Sequence, residues 1–557
     1  QELQKLESLE DFIKQELSAF KKLPWYTPSN RDPPPLPQLL EVAFQNFYSS
    51  MLDPKTWTKP EPNLSVDLLK ALKSASKIQS NNVGIYLQDK SSRIVFASLE
   101  KTNDKIENVL SDATKYRILG EEDPAIEYQK LITSWYATSK QHLKAIKEDL
   151  SDWMSSTPAA TPHLRAKVKT HKQGCPVRLT FSSIGSATRN LSTALDETYL
   201  KPCINNYAPR RLQDTRQAAL FLDQVNSHIK EQDIRMKPVL FSLDVTNFFP
   251  SVKEELAQPA IKEALQKQNF NKPEIETVLS GLKLVRGGSF FKWKSSYWKQ
   301  ISGCALGDVD SCDYTDLAMA GLLSTMLPAA EAALLLDLQW FKIYRDDGLC
   351  ILFAHPSQAI HLQQFFNNFS SDIQWTTPDC PECSHPLVTC PHNNSVDFLD
   401  SKITWSQDDN EHWQFCMSES SKSTDAHAYI APSSCTAPHL NSEGTSVAKT
   451  VGMRLRSLHT KDADLLLSLN NYAGYLVARG YQEQPIKYHL AAMANRDRSG
   501  VLRGLYKKPP QVCVPLVTNL HPAIVMASST LKKTVTAASK KDPLTNVLLP
   551  QSSLLVS

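Results

Sequence analysis

The reading turns on FSLDVTNFFPS (residues 241–251), taken with YRDDG (344–348). Val239–Leu243 is a short apolar run rich in strand formers, and it ends at Asp244. Farther along, Trp340–Ile343 and Leu349–Phe353 flank Arg345-Asp346-Asp347-Gly348, which reads as a hairpin with acids at its tip. Asp-Asp-Gly alone is ordinary turn chemistry. A carboxylate at the end of one buried strand, with two more at a hairpin tip, also meets the demands of two-magnesium phosphoryl transfer. That chemistry needs ligands from separate segments, held on rigid strands, with the ions about 3.5–4 Å apart. One ion then lowers the pKa of an attacking hydroxyl, and the other neutralises the leaving phosphates.

Outward from these acids, the pattern alternates helices with short strands. Leu3, Leu6, Leu9, Ile13, Leu17 and Phe20 have helical spacing, and Pro33, Pro34, Pro35 and Pro37 then form a stiff linker. From about Pro62 to Leu150 the pattern is mostly helical, with one strand-like segment at Asn82–Leu87. Residues 252–284 read as helices, and Phe290–Lys294 with Tyr297–Gln300 read as a hairpin. A helical block runs from about Thr445 to Arg503, and Pro509–Ser557 is poor in pattern.

The 557 residues carry a net charge of only +3, which advertises no polyanionic partner. The distribution says more than the sum. Residues 161–178 hold Arg165, Lys167, Lys169, Lys172 and Arg178 with no acid. Residues 281–300 hold Lys283, Arg286, Lys292, Lys294 and Lys299, again without acids, interleaved with Phe290, Phe291, Trp293, Tyr297 and Trp298. Clustered cations neutralise phosphates, and aromatics among them suit a surface that tracks a single strand. The aromatics of a hairpin are also half core, so only outward-facing members are assigned to a template. Eleven cysteines, an odd and mostly scattered set, point to a reducing compartment. The charged start, Gln1–Lys22, is no signal peptide, and apolar runs such as Ala329–Leu338 are too short to span a bilayer. The chain begins without an initiator Met, as a processed product or an internal piece would.

FSLDVTNFFPS and YRDDG resemble the two metal-binding motifs of reverse transcriptases. Further segments narrow the resemblance to the Penelope-like elements, a eukaryotic retroelement family. HKQGCPVRLTFSSIGSATRNLSTAL (171–195) resembles that family's fingers, and QISGCALG (300–307) its Gln-x-x-Gly-x-Ala-Met-Gly. VDFLDSKI (396–403) resembles the Phe-Leu-Asp segment, and AYIAPSSCTAPHL (428–440) is a looser likeness to the family's next pattern of Tyr, Ser and Pro. Residues 83–119 are similar to the approach to the fingers, and ARGY (478–481) to a thumb element. The likeness runs in order from about residue 80 to 530.

The resemblance implies an α+β right-hand polymerase with fingers, palm and thumb, an antiparallel palm sheet, a helical N-terminal region and a small zinc-binding insertion. The expected divisions are 1–80, 81–235 (fingers), 236–435 (palm), 436–510 (thumb) and 511–557. The implied activity is RNA-directed DNA synthesis on a DNA 3′-hydroxyl, with template RNA, primer or target DNA and dNTPs as partners, in the nucleus. An RNA-dependent RNA polymerase and a non-catalytic scaffold derived from a reverse transcriptase are the rivals. Asp244 and Asp346 would hold two Mg²⁺ with help from the Val245 carbonyl, and Asp347 would be the supporting acid. Arg178, with Lys169 second, would meet the triphosphate, and Gln300 and Gly307 would line nucleotide and template. Phe249 would be a steric gate against a 2′-hydroxyl, or else a plain core residue beside Phe248; strand alternation lets only one of the pair face the sugar.

Three features depart from the family or add to it. Asp308-Val309 replace the usual Ser-Pro after Gly307, and Asp310, Asp313 and Asp316 follow, which is read as acid gathering at a helix N-terminus. Arg345 stands where a small or apolar residue is commoner, and its role is left open between lowering the carboxylate pKa values and contacting primer. Cys380, Cys383, Cys390 and His392 form C-x2-C-x6-C-x-H, four ligands for a structural Zn²⁺, with His385 competing for the fourth place. Gly84-Ile85-Tyr86 mimics half of a GIY-YIG nuclease motif, but no partner follows, so priming would need nicked DNA, a chromosome end or another domain.

Overall fold

A computed structural model of the chain describes residues 82–89, 94–143, 145–146, 159–170, 172–379, 386–390, 395–420 and 445–506, with isolated positions 70 and 74. The expected N-terminal helix, the proline linker, residues 428–440 and the 511–557 extension lie outside them. The chain divides into two compact units, one of Ser76–Ala426 with Ser457–Leu465, the other of Gln1–Ala75, His427–Arg456 and Leu466–Ser557.

Among the described residues of the first unit are strands β1 (Val83–Gln88), β2 (Ile94–Ser98), β3 (Tyr116–Gly120), β4 (Leu164–Val168), β5 (Val177–Phe181), β6 (Val239–Val245), β7 (Phe290–Trp293), β8 (Ser296–Gln300), β9 (Phe341–Tyr344), β10 (Asp347–Leu352), β11 (Trp375–Thr376), β12 (Ser395–Phe398), β13 (Ser401–Gln407) and β14 (Trp413–Glu419). They form four sheets, ordered β2-β1-β4-β5, β11-β6-β10-β9, β12-β13-β14 and β3-β8-β7. Neighbours are antiparallel except β1 and β4.

The β11-β6-β10-β9 sheet is the centre of the main core. Residues 348–352 of β10 are all buried, a continuous apolar run that belongs to a strand covered on both faces. Helices Glu254–Lys267, Ser311–Leu334 and Ser357–Phe369 pack in the same core. Trp375 is 1% exposed, wedged against Phe341 and Phe366, and truncating such a ring costs about 3–5 kcal/mol. By length and mean hydropathy alone Ser311–Leu334 could cross a membrane. Its buried aspartates and its buried Leu317, Met319, Leu323 and Met326 make it a core helix.

Two sequence expectations change, and one segment gains a structure. The 62–150 stretch, read as helical with one strand, holds β2 and β3 as well as β1. The acid-free basic segment 161–178, given no secondary structure from sequence, lies on a pair of strands, β4 and β5, with Leu164, Val168, Val177 and Phe181 as the buried face beneath the charges. Finally, the acid-tipped hairpin is tighter than expected. β9 ends at Tyr344 and β10 starts at Asp347, so only Arg345 and Asp346 form the loop.

Helices Thr445–Leu458, Asp462–Val477, Glu483–Ala494 and Arg498–Leu502 carry the expected helical block, and all but Ser457–Leu465 of it falls in the second unit. Gly452 lies so near Met493 that a Cβ would come within 2.7 Å of its side chain, which sets how closely those two helices approach.

Candidate active site

The register of β6 and β10 decides the site. Asp347 lies directly opposite Asp244, so both side chains leave the same face of the sheet. Opposed Cβ atoms in such pairs stand about 4.5–5.5 Å apart. Asp346 is one residue away in the loop, and its carbonyl accepts from the Val245 N–H at 3.0 Å. Thr376 closes the other side, its hydroxyl donating to the Asp244 carbonyl at 3.2 Å. Asp244 is exposed, whereas Asp346 and Asp347 are half-buried. Arg345 has φ +56°, and Asp346 is not in the left-handed region. A two-residue hairpin needs positive φ at its first position to match the strand twist, and glycine usually fills that place. The donors are carboxylate oxygens, hard ligands of the kind Mg²⁺ takes. Among the described residues, no three His, Cys, Asp or Glu side chains already converge as a metal cluster.

Beyond β6 the chain turns at Asn247, φ +51°, into a single helical turn, Phe248–Ser251. The two phenylalanines are therefore separated by a helical step, not by strand alternation. Phe248 is buried, Phe249 is half-buried, and their ring centroids are 5.6 Å apart. The Cys304 N–H donates to the Phe249 carbonyl at 2.8 Å, and Gly303 packs against Pro250 where no Cβ would fit.

The 300–307 loop is braced from within. Gln300 is 6% exposed, and its amide donates to the carbonyls of Ser302 and Cys304 at 2.9 and 3.0 Å. Its nitrogen thus holds the loop's shape, where the sequence leads one to expect contact with nucleotide. Gly307, at φ +142°, lies so close to β5 that a Cβ would be 1.8 Å from the Phe181 carbonyl oxygen. Ser183 donates to the Gly307 carbonyl at 2.7 Å. This loop joins the strand of Arg178 to the turn that follows Asp244.

On β4 and β5 the register sets Lys167 opposite Arg178 and Arg165 opposite Thr180, a cationic face backed by apolar residues. Arg178 pairs with buried Asp89 at 3.3 Å, a partner that no sequence signal suggested. A guanidinium has five donors, so this pairing leaves donors for a phosphate. The Lys169 N–H donates to the Pro176 carbonyl at 2.9 Å, which places Lys169 at the open end of the same ladder.

The acids after Gly307 do gather at a helix N-terminus, with Asp310 just before Ser311 and Asp313 in the first turn, but most of their charge is met by arginines. Asp310 is fully buried, makes no side-chain cap, and binds Arg286 and Ser192. Asp308 is buried beside them, and burial pushes its carboxyl up to about 6 against the pull of Arg286. Asp316 binds Arg211 and Arg345. Buried carboxylates need paired cations, and the arginines meet that need. Nearby Asp196, 1% exposed and 3.3 Å from Lys201, is pushed up to about 7 by burial, then by Asp313.

The β7–β8 hairpin splits as its aromatics require. Phe291 is fully buried and stacks on Phe181 at 5.0 Å, while the Lys292 ammonium sits 5.2 Å from the Tyr297 ring. Arg117 of β3 stands opposite Lys299, and the two like charges, with burial the larger cause, lower the Lys299 pKa. Arg117 was invisible as a candidate because its sheet partner is distant in sequence. In the helical second unit, Lys487 pairs with Glu483 at 2.6 Å, and Arg456 donates to the Arg496 carbonyl at 2.9 Å. Of the expected zinc ligands, Cys380, Cys383 and His392, with His385, lie outside the described residues, and Cys390 is buried.

No protein-family model and no curated protein matches the chain. Solved telomerase structures are similar to it. Telomerase from Candida albicans in complex with the TWJ fragment of telomeric RNA aligns at TM-score 0.49 and 8% identity, over 99% of this chain and 89% of that one. Telomerase from Candida tropicalis in complex with the same fragment aligns at 0.43 and 9%, over 97% and 92%. At TM-scores below 0.5 these likenesses assign neither fold family nor activity.

Proposed function

We propose that the chain is an RNA-directed DNA polymerase of the Penelope-like type, with residues 81–235 as fingers, 236–435 as palm and 436–510 as thumb. Its substrates are a template RNA, a DNA 3′-hydroxyl and dNTPs, and the DNA places the activity in the nucleus. The observation that carries this reading is the pairing of Asp244 with Asp347 across β6 and β10, with Asp346 beside them in the loop. Asp244 and Asp346 would hold Mg²⁺ with the Val245 carbonyl, and Asp347 would support them. Two Mg²⁺ held by these carboxylates would supply acidification of the primer hydroxyl and neutralisation of the leaving pyrophosphate. Arg178 and Lys169 hold the triphosphate, since clustered cations on a rigid ladder meet phosphate oxygens at little reorganisation cost. Phe249 lies under the sugar and excludes a 2′-hydroxyl.

Primer extension on an RNA template tests the reading. Asp346→Asn is expected to lose activity by at least about 10³-fold, the order of several kcal/mol of charge stabilisation. Unchanged synthesis would sink it, and preferential ribonucleotide incorporation by the wild type would favour an RNA polymerase. A structural zinc at Cys380, Cys383, Cys390 and His392 completes the proposal and rests on their spacing. Undiminished zinc in a Cys380→Ser variant would dismiss that site.

A further inference from the structure

The two departures from the family pattern, the arginine before the paired aspartates and the acids after Gly307, meet in space. Arg345 Nη1 lies 2.5 Å from Asp316 Oδ2 and 3.9 Å from Asp313 Oδ1. Arg211 holds the same two carboxylates, through Nε to Asp316 and through Nη2 at 3.9 Å to Asp313. Asp313 and Asp316 are three residues apart on one helix and so share a face. The side chains are largely shielded, at 3% exposure for Asp316 and 22% for Arg345, which strengthens charge pairing relative to the surface.

The strand that feeds the loop is tied to the same segment. Leu212 N–H donates to the Ile343 carbonyl at 2.7 Å, and Ile343 N–H donates to the Arg210 carbonyl at 2.9 Å. Cavities of about 310 and 370 Å³ each border both Arg211 and Arg345. Arg345 thus borders open space on one side, and its ion pairs to Asp316 and Asp313 tie it to the helix on the other. Arg345 also takes a left-handed backbone conformation, φ +56°, which costs a non-glycine residue about 1–2 kcal/mol. Such a residue persists where its surroundings over-determine it.

We propose that Arg345 is a positioning residue. Its guanidinium, gripped by Asp316 and Asp313 and backed by Arg211, fixes the two-residue loop so that Asp346 is presented to the Asp244–Asp347 pair. Asp313 and Asp316, two of the acids after Gly307, are the receptor for that arginine. This rests on the nucleotidyl-transfer reading above.

The experiment compares full-length wild type with Arg345→Met, Arg345→Lys, Asp316→Asn, the Arg345→Met/Asp316→Asn double variant and Asp346→Asn. Turnover is measured on an RNA template with a DNA primer, template–primer Kd by fluorescence anisotropy, and Mn²⁺ affinity by electron paramagnetic resonance of the free ion. Arg345→Met is expected to lower turnover and Mn²⁺ affinity about 10- to 100-fold, with template–primer Kd unchanged. Retained template–primer binding also reports that the variant is folded. Arg345→Lys should restore most of the loss, because it keeps the charge that Asp316 receives. The double variant should be no worse than the poorer single variant, as for two members of one interaction. Wild-type turnover and Mn²⁺ affinity in Arg345→Met would overturn the proposal. So would a loss confined to template–primer Kd, which would make Arg345 a nucleic-acid contact. If Asp346→Asn also synthesises normally, the polymerase reading itself fails; if only Arg345→Met does, the positioning role alone fails.

Discussion

Two sets of aspartates lie in the first unit, and they are treated in opposite ways. Asp244, Asp346 and Asp347 stand at one end of the central sheet, with Asp244 exposed and the other two half-buried. Asp308, Asp310, Asp313 and Asp316 lie along the start of one helix, all less than 9% exposed and matched by Arg286, Arg211 and Arg345. Burying a carboxylate without a cation costs several kcal/mol, so the second set is bound to its arginines structurally. The first set remains accessible to a ligand. The contrast separates acids suited to chemistry from acids suited to holding geometry, even though both look alike in a list of residues.

That separation can be broken most directly by matched substitutions. Asp244→Asn should lose nucleotide addition by at least about 10³-fold and leave the melting temperature near wild type, since an exposed carboxylate contributes little to folding. Asp310→Asn should do the reverse in stability, because it removes the nearer of the two carboxylates that pair with buried Arg286; breaking a buried pair costs about 3–5 kcal/mol, and Asp308 keeps this loss toward the lower end. Calorimetry beside primer extension reads both, and equal destabilisation by the two variants would erase the distinction. Gly307→Ala comes next. Its Cβ would collide with the Phe181 carbonyl, so the loop must move, at a cost of about 2–4 kcal/mol in urea unfolding. A wild-type unfolding midpoint would mean that the approach of loop and β5 is not tight.

Phe249→Ala tests the proposed steric gate. The expected result is about 10- to 100-fold weaker discrimination against ribonucleotides in single-nucleotide addition, the scale of removing one steric contact. Unaltered discrimination would return Phe249 to the core. The smallest effect concerns Asp196. Its folded carboxyl titrates near pH 7 because burial disfavours its charge, while an unfolded Asp titrates near pH 4. Between those values the folded chain binds the extra proton, so this group's contribution to stability falls as pH rises and is lowest above about pH 7. Asp196→Asn removes that cost. Its melting temperature should gain about 2–4 °C on wild type between pH 5 and pH 8, and a constant difference would count against the shift.

How much is legible in the sequence depends on the range of each interaction. The Val239–Leu243 run and the acid-tipped hairpin are readable because strand propensity and turn chemistry are local. The β7–β8 hairpin is readable for the same reason. β3 escapes notice in a stretch that reads as helical because its partner β8 is distant in sequence, whereas β2 pairs with its neighbour β1. Strand alternation is the wrong rule for Phe248 and Phe249, because Asn247 with its positive φ has already ended the strand. The acids after Gly307 read as partners of a helix dipole because their arginines lie elsewhere in the chain. Asp310 is 24 residues from Arg286, and Asp316 is 105 from Arg211 and 29 from Arg345.

By itself, then, the sequence determined which residue types stand ready: carboxylates after apolar strands, acid-free basic segments, and the order of the motifs. Periodicity and composition are properties of neighbours along the chain, and they survive without a fold. Only the tertiary structure decided which aspartates face one another across strands and which are consumed by arginines. A one-residue change in register would turn Asp347 away from Asp244, because strand side chains alternate faces. Register is set by packing of the whole β11-β6-β10-β9 sheet against its helices, and no short segment carries that information.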